Sequence, residues 1–298
     1  QAASILGKLN SLSDALFPTR VHTAHLHDFK LEALAKDWDS PAKLTPAAIS
    51  DAKWWLKNLA MLNGRDIHPP AVTMKAGTDA SDFGWGAWVE TPDGKKISWG
   101  GHFDEETAKK HINFKEMLAV DYFLRSCPLE LKDQVVDIGI DNTTTIWYLS
   151  KFGGKRNLLA SLAATIYERT RFHSCTLTSH HVPGEQNVLA DKESRRVIHL
   201  PDFRLNPLLF HKAERCFGPH SVDLFATFSD RQIARFCSRQ TQPETQCVDA
   251  FSLSWAGENG WANPPFSLIF RVLHKARMEQ ATMTVLVPLW PAQPWFRS

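Results

Sequence analysis

The chain has 298 residues, of which 43% are hydrophobic and 22% charged, and its formal net charge is +2. This length suits two compact units with connecting segments, and the hydrophobic content, with 11 tryptophans, excludes a disordered chain. No apolar run approaches the roughly 18 residues that span a bilayer. The sequence therefore predicts a soluble, intracellular protein of the cytoplasm or nucleus with no membrane partner.

Residues 1–70 have a helical character. In "LTPAAISDAKWWLKNLAML", Thr45 is placed to cap a helix and Pro46 takes its first position. The "IHPP" sequence at residues 67–70 then breaks the helical pattern. We predict a helical N-terminal segment over residues 1–70.

From residue 71 the hydrophobic period changes to that of strands. Three short strands are expected over 71–80, 83–90 and 95–101, the last two joined by the turn "TPDGK". Further elements follow in the order helix 113–126, strand 134–141, helices 142–152 and 157–172, strand 175–182 and helix 187–196. This order predicts an α/β domain over residues 71–198, with a mixed five-stranded sheet and helices on its faces.

The middle of the chain is locally basic. A run of basic side chains is typical of a polyanion binder, and equally of solvated helix faces. The residues are Lys151, Lys155, Arg156, Arg169, Arg171, Lys192, Arg195 and Arg196. The five cysteines include no CxxC pair, which indicates free thiols in a reducing compartment.

The last hundred residues again alternate strands and helices. We predict strands at "SVDLFAT" and "TMTVLVPLW", the end of a strand at "NGWANPPF", and helices at "NPLLFHKAERCFG" and "SLIFRVLHKARMEQ". Such alternation favours a parallel, doubly wound sheet. We predict a second, Rossmann-like α/β unit over residues 199–298, which the end of the sequence would truncate.

Four acidic residues stand at the ends of predicted elements: Asp79, Glu116, Asp141 and Asp191. Neighbouring strands lie about 4.8 Å apart, so acids at two adjacent strand ends can reach one ion. Like charges this close resist joint ionisation, and divalent cations relieve the repulsion. Oxygen ligands without a Cys/His cage favour Mg²⁺ or Mn²⁺. Two such ions, about 3.5–4 Å apart, can promote hydrolysis of a phosphodiester.

Each acid alone also has a structural explanation. Asp79 could cap a turn, Glu116 could complement a helix dipole, and Asp141 could cap the helix that begins at "NTTTIW". An acid such as Asp191 in the first turn of a helix is commonplace. The order and spacing of the four acids favour a shared metal site over these separate roles.

The ordered motifs "TDAS", "NFKEMLAV", "IDNTTTI" and "HHVPGEQNVLADKESR" resemble the ribonuclease H domain of retroelement reverse transcriptases. The resemblance implies a ribonuclease H-like fold with the four acids as catalytic metal ligands. It also implies that His181, next to His180, is the catalytic-loop histidine, although a histidine at a strand end is as often structural. The implied substrate is the RNA strand of an RNA–DNA hybrid, recognised through its backbone. The backbone contacts would come from Asn142, Lys155, Arg156 and Arg195.

The flanking sequences resemble parts of a larger polyprotein. "ILGKLNSLSDALFPTRVHTAHLHDFKLEAL" resembles the segment that follows the polymerase domain in DIRS-type retrotransposons, which implies the polymerase domain of the same polyprotein as a partner. "WANPPFS", with "SVDLFAT", "CVDAFSLSW" and "VLVPLWPAQPWF", resembles phage-type DNA adenine-N6 methyltransferases.

This second resemblance implies an alternative activity for residues 199–298. Asp223 would lie near S-adenosylmethionine, and the residues that receive a flipped adenine would be Asn263, Pro264, Pro265 and Phe266. Against it, "DLFATFSD" lacks a glycine-rich cofactor turn, and an Asn-Pro-Pro-Phe turn is also a good helix start. A non-catalytic nucleic-acid-docking fragment is the remaining alternative.

Overall fold

The structure is a computed structural model that describes residues 2–13, 15–16, 18–35, 42–62, 68, 70–153, 158–196 and 204–297. Its α-helices are α1 (Ala2–Ser11), α2 (Ala24–Leu34), α3 (Pro46–Leu62), α4 (Glu105–Ala108), α5 (Ile112–Ser126), α6 (Thr143–Lys151), α7 (Leu158–Phe172), α8 (Val188–Ser194), α9 (Pro207–Phe217) and α10 (Ile269–Met278). Its strands are β1 (Met74–Ala80), β2 (Gly84–Glu90), β3 (Lys96–His102), β4 (Val135–Ile140), β5 (Thr176–His181), β6 (Val222–Asp223), β7 (Cys237–Ser238), β8 (Cys247–Val248), β9 (Asn259–Ala262) and β10 (Thr282–Val285).

Contacts group the chain into two compact units. One comprises Gln1–Lys75 with Leu131–His181, and the other Ala76–Glu130 with Val182–Ser298.

Among the described residues, no helix combines the length and the apolar character that crossing a bilayer requires. Lys155 and Arg156 lie outside the described residues, as does the predicted boundary at 198/199.

A mixed five-stranded sheet has the strand order β3-β2-β1-β4-β5. The β1–β2 and β2–β3 pairs are antiparallel, and the β4–β5 pair is parallel. This confirms the α/β sheet predicted from the sequence. Strands β1 and β4 are neighbours in this order, and Asp79 and Asp141 near their ends offer carboxylate oxygens within 4.8 Å of each other.

Helix α8 packs directly on β2 at a glycine. A Cβ atom on Gly86 would lie 2.0 Å from the Ala190 carbonyl oxygen and 2.6 Å from the Ser194 nitrogen. Since only a residue without a side chain allows this approach, Gly86 sets how closely α8 lies on the sheet.

The N-terminal helices are joined by caps and small apolar clusters. Thr45 Oγ1 accepts a hydrogen bond from the Ala48 nitrogen at 3.2 Å, which caps α3 as the sequence predicted. Asp51 of α3 accepts hydrogen bonds from the first turn of α2, through the nitrogens of His25 at 2.8 Å and Leu26 at 3.2 Å. Leu26 and Ala48 pack together with Leu6 of α1.

The C-terminal part contains a three-stranded parallel sheet with the order β10-β9-β6. Its core includes Val222, Leu224, Trp255, Ala262 and Val272. The strand predicted over 221–227 is only two residues long in the structure.

The pair β7–β8 was not predicted from the sequence, and it corrects the expectation for the cysteines. Cys237 lies in register with Cys247, with their Cα atoms 4.9 Å apart, and the two form a disulfide. The prediction of free thiols is wrong for this pair, whereas Cys127, Cys175 and Cys216 form no disulfide within the described residues.

Candidate active site

Three of the four predicted acids form one cluster. Asp79, Glu116 and Asp141 each offer a carboxylate oxygen, and these oxygens all lie within 4.8 Å of one another. Asp79 is the penultimate residue of β1, Glu116 lies in the second turn of α5, and Asp141 follows β4 directly. Asp79 is 5% exposed and Glu116 3% exposed. Asp141 is half-buried. Carboxylates at this spacing have the donor chemistry that Mg²⁺ or Mn²⁺ requires.

Backbone and hydroxyl groups orient two of these carboxylates. The Ala80 nitrogen donates to Glu116 Oε1 at 3.3 Å. Ser194 Oγ, at the end of α8, donates to Asp79 Oδ2 at 2.5 Å. The other end of α8 is also tied to β1, because Asn187 Nδ2 donates to the Thr78 carbonyl oxygen at 2.8 Å. Helix α8 is therefore fixed along the strand that carries Asp79.

Sequence reasoning did not identify Ser194 or Asn187. The available signal was their spacing around Asp191, since Ser194 follows it by one helical turn and Asn187 precedes it by another. Asn187 is the cap residue that precedes α8, Asp191 lies in the first turn of this helix, and Ser194 is its last residue.

The structural explanations for Asp141 and Glu116 do not hold. The cap of α6 is Asn142, whose Oδ1 accepts from the Thr145 nitrogen at 2.9 Å, and not Asp141. Glu116 lies beyond the first turn of α5, which contains no acidic residue. Asn142, predicted to contact nucleic acid, thus also serves to start α6 next to the cluster.

Asp191 lies outside the 4.8 Å cluster. Its side chain is 41% exposed, and its Oδ1 is 2.5 Å from Arg195 Nε, one turn further along. Hydrogen bonding to Asp191 raises the pKa of the Arg195 guanidinium. Asp191, the predicted fourth metal ligand, is therefore paired with Arg195, which the sequence predicts to contact the nucleic-acid backbone.

The two candidate histidines differ in their surroundings. His180 Nδ1 lies 3.0 Å from Asp137 Oδ2 of the neighbouring strand. His181 is exposed at the end of β5, in register with Ile140, which immediately precedes Asp141. His181 is thus placed at the sheet edge where β4 ends.

The residues predicted for the alternative activity gather at one edge of the parallel sheet. Asp223 ends β6, and Asn263 follows β9, the adjacent parallel strand. Pro264 and Pro265 lead to Phe266, whose ring centroid lies 4.9 Å from that of Trp290 in an edge-to-face arrangement.

Asp223 is 2% exposed. Its Oδ2 accepts from the Gln232 nitrogen at 3.0 Å, while its Oδ1 has no hydrogen-bond partner among the described residues. Burial raises the pKa of this carboxyl group to about 7.

Fold and site together define an α/β protein with an acidic cluster suited to a divalent metal. No protein-family model matches the sequence, and none of the curated proteins matches it.

Two ribonucleases and one reverse transcriptase are among the solved structures that the chain resembles. LC11-RNase H1, isolated from compost by a metagenomic approach, was solved with an RNA/DNA hybrid; the chain is 19% identical to it, with 40% of this chain and 92% of that one covered and a TM-score of 0.30. For RNase H1 from Halobacterium salinarum the identity is 14%, the coverage 40% and 96%, and the TM-score 0.29. The foamy viral protease-reverse transcriptase was solved in complex with an RNA/DNA hybrid. The chain is 12% identical to it, the match covers 56% of this chain and 28% of that one, and the TM-score is 0.33.

Proposed function

We propose that the chain is a divalent-metal-dependent nuclease that hydrolyses the RNA strand of RNA–DNA hybrids. The observation that carries this proposal is the cluster of the buried Asp79 and Glu116 with the half-buried Asp141, whose ligand oxygens lie within 4.8 Å of one another. Three carboxylates this close repel one another when ionised, and a bound divalent cation offsets the repulsion. The substrate class is supported by the ordered sequence motifs that surround these acids.

Asp79, Glu116 and Asp141 would hold the ions, with Asp191 as the fourth ligand. Bound Mg²⁺ or Mn²⁺, two ions in this proposal, would activate a water molecule and stabilise the leaving oxygen of the phosphodiester. The hydroxyl of Ser194 keeps the Asp79 carboxylate in one orientation during this chemistry.

Charged side chains near the cluster have proposed roles in handling the substrate. A phosphate of the substrate would replace Asp191 as the ion-pair partner of Arg195, because both anions bind the same guanidinium. His181, exposed at the end of β5, would transfer a proton at the cleaved ester.

We further propose that this reaction serves reverse transcription of a retrotransposon inside the cell. The support is the N-terminal "ILGKLNSLSDALFPTRVHTAHLHDFKLEAL", which resembles the segment after a polymerase domain. The polymerase domain of the same polyprotein would then be the partner that delivers the hybrid.

The test is cleavage of an end-labelled RNA–DNA hybrid in Mg²⁺ by the full chain and two variants. Asp79→Asn and Asp141→Asn remove one ligand charge each, and we expect RNA cleavage to disappear in both. Asp93→Asn, in the exposed turn between β2 and β3, is the matched control and should cleave normally. Cleavage that persists in both cluster variants would rule out the proposed site.

A second candidate function, adenine-N6 methylation of DNA, is favoured by the buried Asp223. Ligands of open parallel sheets bind outside the carboxyl ends of the strands, where Asp223 and Asn263 lie. A ligand donor would satisfy the Asp223 Oδ1 atom, which has no partner among the described residues. S-adenosylmethionine would supply the methyl group. Calorimetric titration with this cofactor should give a binding heat that Asp223→Ala removes; no heat with the unmodified chain would leave this candidate unsupported.

A further inference from the structure

An exposed tryptophan with two cations close to its ring lies on α6, the helix that follows Asp141. Trp147 is 42% exposed. The Nζ atom of Lys151, one turn along the helix, lies 5.2 Å from the Trp147 ring centroid. The Cζ atom of Arg20, between α1 and α2, lies 5.8 Å from it. We call Arg20, Trp147 and Lys151 the Trp147 surface.

The position of Arg20 in this surface is fixed by packing. A Cβ atom on Gly153, just after α6, would lie 2.9 Å from the Arg20 Cβ, so the two backbones approach closely only because residue 153 is glycine. On the other side, the His22 carbonyl oxygen accepts from Trp55 Nε1 at 2.8 Å, and the His22 ring stacks on Trp54 with centroids 3.3 Å apart. The N-terminal segment therefore presents Arg20 at a defined place beside α6.

The charges of the Trp147 surface are available to an external anion. Arg20 and Lys151 are exposed, and neither forms an ion pair within the described part of the chain. His22 adds no charge near neutral pH, because burial lowers its pKa to about 4. Two positive side chains next to an exposed indole suit a nucleic-acid strand, because the cations can bind its phosphates and the indole can stack with a base.

We propose that the Trp147 surface binds one strand of the nucleic acid next to the cleaved position, with phosphates at Arg20 and Lys151 and a nucleotide against the indole. Trp147 follows Asp141 by six residues, about 9 Å along a helix at roughly 1.5 Å per residue. This distance corresponds to about three nucleotides at roughly 3.4 Å per nucleotide of one strand. The inference rests on the proposed nuclease function for its substrate, and it makes the N-terminal segment part of the substrate-binding surface.

The test is hybrid binding by the full chain carrying Asp79→Asn, which prevents cleavage, measured by fluorescence anisotropy at several salt concentrations. Adding Trp147→Ala should weaken binding roughly five- to tenfold, as expected for loss of one aromatic contact to a nucleotide. Adding Arg20→Gln or Lys151→Gln should each reduce the slope of log affinity against log salt by about 1, the value for one lost phosphate contact.

Matched controls separate this surface from general effects. Phe172→Ala removes another aromatic ring, 83% exposed on α7, and Lys53→Gln removes another exposed cation on α3; both should leave affinity and slope unchanged. Trp147→Phe keeps a ring and should recover most of the affinity, while loss of affinity together with a lower melting temperature in all Trp147 variants would indicate a folding defect and count against the proposal.

Binding measurements with a shorter hybrid provide an independent test of this surface. A hybrid that ends about two nucleotides from the cut site, short of the roughly 9 Å to Trp147, should bind the Trp147→Ala variant and its parent equally. Unchanged affinity and salt slope in all three variants with long hybrids would overturn the proposal while leaving the nuclease function intact. Conversely, if the unmodified chain does not cleave hybrids but Trp147→Ala still weakens binding, the nuclease proposal fails and the binding surface stands.

Discussion

At the scale of single residues, the burial of Asp223 makes the stability of the fold depend on pH. Burial raises its pKa from 3.8 to about 7, with a smaller contribution from Asp230, whose own pKa burial also raises. Between these two values the folded state holds a proton that the unfolded state has released. The contribution of protonated Asp223 to the stability of the folded state is therefore fully present below about pH 3.8, and it is lost as the pH rises through 7.

We predict that Asp223→Asn makes the chain more stable at pH 8 than the unmodified protein and flattens the fall in stability between pH 5 and pH 8. An asparagine does not ionise, so the penalty of a buried charge, at most ~4 kcal/mol for a shift of this size, disappears. Urea unfolding at the two pH values measures the free energy of unfolding. The exposed Asp93→Asn serves as the control, and an unchanged pH dependence in Asp223→Asn would show that another group causes it.

The residues of the acidic cluster were predictable from the sequence to different degrees. The cluster acids stand in ordered motifs at strand and helix ends, and this local order is visible without a structure. The hydroxyl of Ser194 contacts Asp79 across 115 positions of sequence, and no local pattern records such a contact. The Asp191–Arg195 pair is different, because its i,i+4 spacing is visible in the sequence, but the same spacing is common on helix surfaces.

At the scale of elements, the contact of α8 with β2 determines how the helix presents Ser194. The backbone atoms of α8 nearest to Gly86 would be only 2.0 and 2.6 Å from an added Cβ. These are backbone atoms, which cannot turn away as a flexible side chain would. A side chain at this position must move the helix or the strand.

We predict that Gly86→Ala lowers the free energy of unfolding by roughly 2 kcal/mol or more, the range expected when an extra methyl group is forced into a packed interface. The same shift should break the Ser194–Asp79 hydrogen bond and weaken Mn²⁺ binding, which calorimetry measures. Gly7→Ala is the control, because nothing lies within 4 Å of its Cβ position in α1. Equal stability of the two alanine variants would show that α8 does not pack on β2 as described.

Periodicity predicted the elements of the five-stranded sheet because each is long enough to show a repeat. Strands β1 to β5 have six or seven residues each, and their alternating or apolar patterns are readable. The strands β6, β7 and β8 have two residues each, too few to show any period. They exist because tertiary contacts, including the Cys237–Cys247 disulfide, hold the segments together.

At the scale of the whole molecule, residues 204–297 are joined to residues 76–130 within one compact unit. The rings of Tyr122 on α5 and Phe228 have centroids 5.4 Å apart. The Arg125 guanidinium lies 5.0 Å from the Phe228 ring centroid and pairs with Glu244. Burial raises the pKa of Tyr122 to about 12.

This contact bears on the sequence-based division of the chain. Composition and motifs place a boundary at 198/199, and they describe what each side resembles. They do not show whether the two sides fold separately, since ring and ion-pair contacts between distant segments have no sequence signature. The contacts of α5 with Phe228 and Glu244 indicate that the helix bearing Glu116 is stabilised by the C-terminal residues.

We predict that Phe228→Ala lowers the free energy of unfolding by about 2 kcal/mol, less than for a fully buried phenylalanine because this ring is half-buried. Its effect should reach α5, where amide hydrogen exchange of residues 112–126 should become faster. Phe217→Ala, which removes a ring that is 64% exposed in the same unit, should change neither quantity. If Phe228→Ala accelerates exchange only within residues 204–297, the C-terminal residues fold independently of α5, and a nuclease fragment ending near residue 198 should keep full stability.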